Sequence, residues 1–425
     1  MKPRACILKI LLPPPAGDGL VRDTLWNALS NAAAGGMSFI MLILTSRVAG
    51  AYWCGVAALG LAMSLQVFPL GNFTMGNYQA SDIAERRSFS EYVAAKALTV
   101  GAMLFASGIW ILVDWRGHDK ALAFLAMLLY QASDAFSNAF FSRYQQKGRL
   151  DVACRVRFAK VTAFLAVFAA VLVATRRPLP AMAAAAAAHA ALFFVLDMPL
   201  LSVFGPLRLA FPGRASLAIL LACLPLAANS FLSMLVNNTP RFAIDSQMGA
   251  ETLAAFSALF MVSFAVAMCA DFLMNPQVVR LAVALRNGDR PAAIRTIRTP
   301  LVAILGLGAA GLAAGAVAGV PILSTLFNLD LSGNAANLCL LLCGGVLLAL
   351  YQLAQTILVV LRRQTWGLPG MILASASVLL LARPLVARLG LRGAAISYTT
   401  AVAILALCSG AFATAFLLPA LRKGK

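Results

Sequence analysis

The sequence predicts an all-α polytopic membrane protein, with about 12 transmembrane helices in two parallel six-helix lobes around a central cleft and both termini cytoplasmic. Apolar residues make up 61% of the 425-residue chain and charged residues only 12%, against about 25% charged residues in soluble domains. Apolar runs of roughly 20 residues recur along the chain, each long enough to cross a bilayer as a helix. No stretch between them reaches the ~50 residues of a typical folded domain. The function is therefore expected to lie within the membrane.

The predicted helices correspond to apolar segments numbered one to twelve in chain order. They cover residues 25–46, 52–71, 96–113, 120–142, 160–175, 181–204, 216–236, 252–273, 300–320, 336–361, 367–385 and 393–418. The resulting divisions are a cytoplasmic N-terminal segment (1–23), an N-lobe (24–204), a cytoplasmic linker (205–215), a C-lobe (216–418) and a basic cytoplasmic tail (419–425). Three prolines at 13–15 interrupt the short apolar run near the N-terminus, so no cleavable signal is predicted.

The charge distribution sets the orientation. The chain has 34 Lys and Arg residues against 15 Asp and Glu residues, and most of the bases fall in the segments that are cytoplasmic when both termini are. This asymmetry follows the positive-inside rule, so the basic charge needs no nucleic-acid partner. The eight cysteines and two histidines lack metal-ligand spacing, and no phosphate loop or catalytic signature is present. We therefore expect no metal, no cofactor and no enzymatic activity.

Two echoes in the sequence indicate an internal duplication. The pattern Tyr130-Gln131-x-x-Asp134 in segment four recurs as Tyr351-Gln352-x-x-Gln355 in segment ten. Six crossings preserve orientation, so the echoes predict parallel lobes related by an axis along the membrane normal, with the substrate between them. At a constant shift of 194 residues, Arg47 matches Arg241, Gly55 matches Gly249 and Arg86 matches Arg280.

Segment four carries a polar stripe inside an apolar run. Gln131, Asp134 and Asn138 are spaced at i, i+3 and i+7, so a helix places them on one face. A carboxylate within a membrane costs at least ~2.5 kcal/mol and should face protein or water. We interpret the stripe as a lining of the passage. The alternative is a neutral or paired Asp134 that only holds helices together.

Segments seven and one carry matching polar faces. Amides donate and accept hydrogen bonds, so these faces suit a hydroxyl-rich ligand, with interhelical hydrogen bonding as the alternative. Gln352 and Gln355 of segment ten are counted with the same candidate lining. The side chains are Asn229, Ser233 and Asn237 in segment seven, and Asn27, Asn31 and Ser38 in segment one.

Two arginines, Arg47 and Arg241, lie at the predicted outer ends of segments one and seven. Arginine binds phosphate oxygens bidentately, so the pair suits a pyrophosphate head group. Snorkelling to the membrane surface is the alternative for each residue.

Three acids lie in the predicted inner halves of their helices. At 1.5 Å per residue, Asp134, Asp197 and Asp271 are each about 13–17 Å from an inner-side base. They are candidates for binding a coupling cation, Na⁺ or H⁺. Alternatively, they pair within the protein, for example with Lys96 at the start of segment three.

One stretch carries a family resemblance. Residues 237–245 (NNTPRFAID), with Gly249 and residues 253–259 (LAAFSAL), mark the end of segment seven and the start of segment eight, and residues 143–149 (RYQQKGR) follow segment four. With the twelve-segment plan, they resemble the Wzx-type polysaccharide/O-antigen flippases of the multidrug/oligosaccharidyl-lipid/polysaccharide exporter superfamily. In topology and hydropathy the resemblance covers nearly the whole chain.

The resemblance implies alternating-access movement of undecaprenyl-pyrophosphate-linked oligosaccharide from the cytoplasmic to the periplasmic leaflet of the bacterial inner membrane. The implied partners are this lipid-linked glycan, membrane lipids, a coupling cation, and the polymerase and glycosyltransferases of surface polysaccharide or lipopolysaccharide biosynthesis. The family's passage is cationic, whereas Asp134 and the amides make this one mixed.

Two other classes remain open. A multidrug or small-molecule exporter of the same fold is the first alternative, and a major facilitator ranks below it because residues 205–215 form only a short central loop. A membrane-embedded polymerase, ligase or glycosyltransferase is less favoured, since no predicted outer loop exceeds about 16 residues and the first has no acid.

Overall fold

The computed structural model describes residues 19–204 and 213–422. Within those ranges the chain is helical almost throughout and contains no strand, which confirms the all-α prediction. The first half comprises α1 (Gly19–Ala49), α2 (Ala51–Asn72), α3 (Met75–Ser81), α4 (Phe89–Val113), α5 (His118–Gln146), α6 (Leu150–Thr175), α7 (Pro178–Leu192) and α8 (Met198–Phe204). The second half comprises α9 (Arg214–Met248), α10 (Ala250–Arg286), α11 (Arg290–Ala314), α12 (Val320–Phe327), α13 (Ala335–Val360), α14 (Leu368–Leu389) and α15 (Leu391–Arg422).

All twelve predicted segments fall on helices, and the described part of the chain has ten helices long and apolar enough to cross a membrane. The chain is therefore a multi-pass membrane protein. The two segments outside that set lie in α5 and α10. Helix α5 has 29 residues, but its polar stripe lowers its mean hydropathy. In α10 the apolar part found is the shorter stretch Ala250–Val266.

Two of the long helices contain a π-helical turn. Residues Phe193–Asp197 form one between α7 and α8, and Gly315–Gly319 form another between α11 and α12. A π turn inserts one extra residue into the helix and often occurs at functional sites. The first of these turns places Asp197 at its end.

The described chain forms two compact units. Among the described residues, the first consists of 19–49, 56–204 and 213–231, and the second of 50–55 and 232–422. The start of α2 is therefore grouped with the second unit, and α9 is divided between the units. The predicted boundary at 205–215 stays a prediction, because residues 205–212 lie outside the described residues, as do 1–18 and 423–425.

In the first unit, α5 is the helix around which the others pack. It contacts α3, α4, α6 and α7. At its crossing with α2, a Cβ on Gly60 would overlap the backbone of Ala123, so the glycine permits the close approach that small residues give membrane helices. Toward its C-terminal end, Phe140 and Tyr144 are buried against Phe193. This packing fixes the orientation of the polar stripe of α5.

In the second unit, α13 has the corresponding role, packing against α10, α11 and α15. Leu353 and Ile357 of α13 are buried with Ile304 of α11 and Ala413 of α15. At the crossing of α13 with α10, a Cβ on Gly345 would meet the backbone of Ser263. Both units therefore use small residues at a central helix crossing.

The helix-joining glycines of the two halves are not the pair matched by the predicted shift of 194 residues. A single glycine with positive φ joins the first two helices of each half: Gly50 (φ +88°) between α1 and α2, and Gly249 (φ +84°) between α9 and α10. These glycines are 199 residues apart, not 194. Relative to them, Arg47 lies in the last turn of α1, whereas Arg241 lies about two turns before the end of α9. The two arginines are therefore not at equivalent positions.

Candidate functional site

The first unit encloses a cavity of about 270 Å³, formed by α1, α2, α5, α6 and the π turn before α8. Its wall is mixed, with aliphatic and aromatic side chains between charged and amide groups. The polar lining residues are Ser38, Asn72, Tyr130, Gln131, Asp134, Ser137, Asn138, Tyr144, Arg157, Lys160 and Asp197. A wall of this composition is suited to an ion, water or a small polar ligand.

The polar stripe predicted in segment four lies on this cavity. Gln131, Asp134 and Asn138 all line it, because the i, i+3, i+7 spacing holds along the unbroken helix α5. Within the described residues, the Asp134 carboxylate accepts no hydrogen bond and forms no ion pair. The Asn138 Oδ1 atom is also buried without a hydrogen-bond partner. The structure therefore places an unpaired acid and an unused acceptor on the same wall.

Facing the stripe is a buried ion pair between Lys160 of α6 and Asp197 of the π turn. The Lys160 Nζ atom lies 2.7 Å from Asp197 Oδ2, and the two side chains are 4% and 1% exposed. The Tyr144 hydroxyl donates a hydrogen bond to Asp197 Oδ1 at 3.1 Å. Both carboxylate oxygens thus have a partner, which is the condition for a buried charge to be tolerated.

The ion pair differs from the predicted partnership with Lys96. That lysine donates hydrogen bonds to Asn72, at 2.6 Å to the backbone oxygen and 3.4 Å to the side-chain oxygen. Pairing of Asp197 within the protein is one of the sequence-based alternatives, but its partner Lys160, the first residue of predicted segment five, is not among the predicted site residues. Helix α6 begins at Leu150, ten residues before the apolar run does, because Arg155, Arg157 and Lys160 lower the hydropathy of its first turns.

Two further groups extend the polar network of the cavity. The buried His189 ring shares a hydrogen bond of 3.1 Å between its Nδ1 atom and Ser133 Oγ. The same ring packs edge-on against Tyr130, 4.7 Å between centroids. His189 is thus hydrogen-bonded and packed within the protein.

The polar face of α1 divides between the cavity and the surface. Ser38 lines the cavity. Asn31 is exposed; it donates a hydrogen bond to Asn27 and accepts one from Arg157 at 3.2 Å. Asn31 therefore orients a cavity arginine. Arg157, like Lys160, was missed as a site residue by sequence reasoning.

The polar stripe of segment seven is shared between the units. Asn229 belongs to the first unit, and Ser233 and Asn237 belong to the second. The Asn237 amide donates to the Ser233 backbone oxygen one turn earlier, at 2.9 Å. This hydrogen bond satisfies the side chain within its own helix, so Asn237 has less capacity left for a ligand.

Arg241, one of the two predicted phosphate-binding arginines, lies in the second unit against an aromatic ring. Its guanidinium carbon lies 4.6 Å from the centre of the Phe260 ring, a cation–π contact. Its Nε atom is buried without a partner. Among the described residues, the guanidinium donates no hydrogen bond and forms no ion pair. Of its five donors, none is used.

The remaining predicted residues are placed as follows. The Gln352 Oε1 atom is buried without a partner, while Gln355 donates a hydrogen bond to the Tyr351 hydroxyl at 3.2 Å. Arg47 is exposed in the last turn of α1. The side chain of Asp271 lies outside the described residues. Of these, the side chains of Gln352, Gln355 and Arg47 do not line the cavity of the first unit.

A charged cluster joins the loop after α3 to the end of α5. Glu85 forms an ion pair with Arg143 at 3.1 Å and another with Lys147. The hydrogen bond from Lys147, followed by that from Arg143, holds the pKa of Glu85 below its usual value against the opposing effect of burial. Gln146 donates to the Asp82 backbone oxygen at 2.5 Å. The cluster fixes the loop to the same helix that carries Asp134.

The fold of this chain is similar to that of several solved transporter structures. An inward-facing multidrug resistance MATE family transporter of the MOP superfamily superposes with a TM-score of 0.67 at 14% identity, covering 99% of each chain. A MATE protein in a bent conformation gives 0.60 at 15% identity, covering 100% of this chain and 99% of the other. A MOP superfamily transporter from Pyrococcus furiosus, described as having a binding pocket of reversed polarity, gives 0.58 at 14% identity, with 99% and 97% covered.

At these identities the similarity establishes the fold alone. The all-α, two-lobe fold predicted from the sequence is thereby confirmed, and it is similar to the fold of the MATE transporters. No protein-family model matches the sequence, and no curated protein matches it.

Proposed function

We propose that this chain is a cation-coupled secondary transporter that exports small organic solutes across the membrane, and that the cavity of the first unit binds the coupling cation. The observation that carries the proposal is the unpaired carboxylate of Asp134, exposed to a cavity inside a membrane-spanning unit. The fold supports it, since two similar solved structures, one inward-facing and one outward-facing, are described as multidrug resistance MATE family transporters.

The energetic reasoning concerns Asp134. A carboxylate in a membrane helix costs at least ~2.5 kcal/mol, and pairing it with a neighbouring base would reduce that cost. The cavity contains such bases, Arg157 and Lys160, yet neither forms an ion pair with Asp134. An acid kept available in this way is suited to accept a cation in one state and to release it in another.

The cavity is large enough for a hydrated ion. Its volume of about 270 Å³ is close to the lower limit of ligand pockets, roughly 300–1,000 Å³. A water molecule occupies roughly 30 Å³ in the liquid, so there is room for a cation and several waters. Occupancy of such a site drives transport when the cation binds the two conformational states with different affinity.

The test uses everted membrane vesicles containing the full chain, with ethidium as the transported solute. We expect ethidium accumulation to depend on an imposed ion gradient and to be lost in Asp134→Asn at unchanged protein level. The matched control is Asp330→Asn, which changes an acid in the exposed turn after α12 and should transport normally. Undiminished transport by Asp134→Asn would contradict the proposal.

A second candidate function is flipping of undecaprenyl-pyrophosphate-linked oligosaccharide for surface polysaccharide synthesis in a bacterial inner membrane. The observation that favours it is the guanidinium of Arg241, whose Nε atom is buried without a partner and which donates no hydrogen bond among the described residues. Close to it in α9, the Asn238 Nδ2 and Thr239 Oγ1 atoms are also buried without partners. Arginine binds phosphate through two parallel hydrogen bonds, so these donors suit a pyrophosphate head group.

This candidate is tested in cells from which the gene is deleted, by measuring surface polysaccharide and lipid-linked repeat units. Flipping predicts that deletion leaves these units facing the cytoplasm. Arg241→Ala should reproduce the deletion, and Arg241→Lys should recover only part of export because lysine lacks the bidentate geometry. Arg388→Ala, an exposed arginine in the last turn of α14, is the control. Full export by Arg241→Ala at normal protein level would exclude the role of Arg241.

A further inference from the structure

The Lys160 ammonium group occupies the polar cavity of the first unit as a built-in cation. It lies 2.7 Å from Asp197 Oδ2, and its side chain is only 4% exposed. The opposite carboxylate oxygen accepts the Tyr144 hydroxyl at 3.1 Å. Asp197 thus has one cationic and one neutral partner, the kind of coordination that a carboxylate would otherwise obtain from a bound metal ion and a protein hydroxyl.

The helix geometry holds this cation in place. Asp197 is the last residue of the π turn, and Tyr144 also lies 3.4 Å from its backbone oxygen. The aromatic cluster of Phe140, Phe193 and Tyr144 packs directly beside the pair. Lys160 therefore pairs with a carboxylate whose position is fixed by the π turn and by the packed aromatic rings. An ion pair on an exposed, mobile loop would lack both constraints.

The charges that line the cavity balance. Two acids, Asp134 and Asp197, face two bases, Arg157 and Lys160. A Na⁺ ion entering this cavity would find the Asp197 carboxylate already neutralised by Lys160 at 2.7 Å and would have to displace that ion pair in order to use it. A proton bound to Asp134 or Asp197 needs no coordination shell and removes a negative charge without adding a separate ion.

We propose that Lys160 is a tethered cation that takes the position of a metal ion in this cavity, so that the coupling ion of the transporter is H⁺ and not Na⁺. The inference rests on the proposed transport function, which it makes more specific. When Asp197 takes up a proton, Lys160 loses its ionic partner, and Asp134 is the other acid on the cavity wall. A change of partner by Lys160 would then link protonation to the positions of α5 and α6.

Other titratable or charged groups face this region from each element packed around it. They are Asp134, Tyr130 and Tyr144 on α5, Arg157 on α6, His189 on α7, Asp197 in the π turn and Lys96 on α4. Because several of these groups titrate, the experiment measures the Na⁺ response at one fixed pH and does not depend on a pH profile.

The test is the thermal unfolding midpoint of the purified full chain in detergent, in NaCl and in equimolar choline chloride. A ligand that binds only the folded state raises this midpoint. We expect the native chain to show no Na⁺-specific shift. Lys160→Ala leaves Asp197 without its cation and should gain a saturable, Na⁺-specific rise, which Lys160→Arg should not show.

The proposal is overturned by a saturable Na⁺-specific rise in the native chain, or by the absence of a Na⁺ response in folded Lys160→Ala. If Lys160→Ala cannot be purified without Na⁺, purification in Na⁺ but not in choline supports the proposal, and failure in both overturns it. The double variant Lys160→Ala/Asp197→Asn, which removes both charges, should fold and ignore Na⁺; a Na⁺ response there would also overturn it.

The unfolding measurement does not require transport, so the two proposals fail separately. If the native chain moves ethidium under neither a proton nor a Na⁺ gradient, the proposed function fails while the unfolding data still decide the role of Lys160. Transport driven by a Na⁺ gradient at constant pH would retain the proposed function and overturn the assignment of H⁺ as the coupling ion.

Discussion

Removing Asp197 tests how strongly the buried ion pair stabilises the first unit. In Asp197→Ala the Lys160 ammonium loses its partner at 2.7 Å while its side chain stays 4% exposed. Breaking a buried pair by deleting one member costs about 3–5 kcal/mol, because an uncompensated charge remains. The loss of the acceptor for Tyr144 adds to this cost. We therefore expect a reduction near the upper end of that range in the free energy of unfolding.

The assay is equilibrium unfolding by SDS in mixed micelles, followed by the loss of tertiary structure. Replacing both members with apolar residues, Asp197→Leu/Lys160→Met, should recover most of the stability, since apolar replacements of buried pairs are often neutral or stabilising by about 1–4 kcal/mol. Asp330→Ala serves as the control in the exposed turn after α12. A cost for Asp197→Ala below about 1 kcal/mol, the value of a surface pair, would refute the reasoning.

The other predictions concern the loop cluster and a helix crossing. The pKa of Glu85 is lowered in the folded state, chiefly by the hydrogen bond from Lys147. Its stabilisation should therefore be complete above the unfolded value near 4.5 and disappear as the pH falls through the lower folded value. Unfolding curves of Glu85→Gln should lack this loss, and an equal loss in the variant would contradict the assignment. Gly60→Val should destabilise by about 1–3 kcal/mol because the new side chain meets the Ala123 backbone. Gly101→Ala has open space and should be tolerated; equal unfolding midpoints for the two glycine variants would argue against close packing at Gly60.

The sequence predicted the stripe of α5 correctly as a geometric unit. Gln131, Asp134 and Asn138 share a wall of the cavity because helical periodicity alone places them there. Which helices form the opposite wall of the cavity depends instead on tertiary packing. Arg157 lies on this wall in a part of α6 that precedes the predicted apolar run by up to ten residues, and Lys160 is the first residue of that run, so a hydropathy profile places neither base within the membrane.

The duplication shows a similar limit. The sequence echoes matched Gly55 with Gly249, whereas the glycines that join the first two helices of each half are Gly50 and Gly249. The positive φ at these two positions is a backbone requirement that most residues do not meet at low cost. It therefore marks the true register more reliably than scattered identical side chains do.

Composition and periodicity by themselves determined that this chain is a multi-pass helical protein and that one of its membrane helices carries an acid, Asp134, on a polar face. These properties depend on local sequence, since hydrophobic length and the helical repeat act over neighbouring residues. Only the tertiary structure decided that Lys160 pairs with Asp197, that Lys96 donates its hydrogen bonds to Asn72, and that Asp134 has no ionic partner among the described residues. These contacts depend on which helices pack together, and the position of Asp197 depends also on the extra residue of a π turn. Neither factor leaves a periodic signal in the sequence.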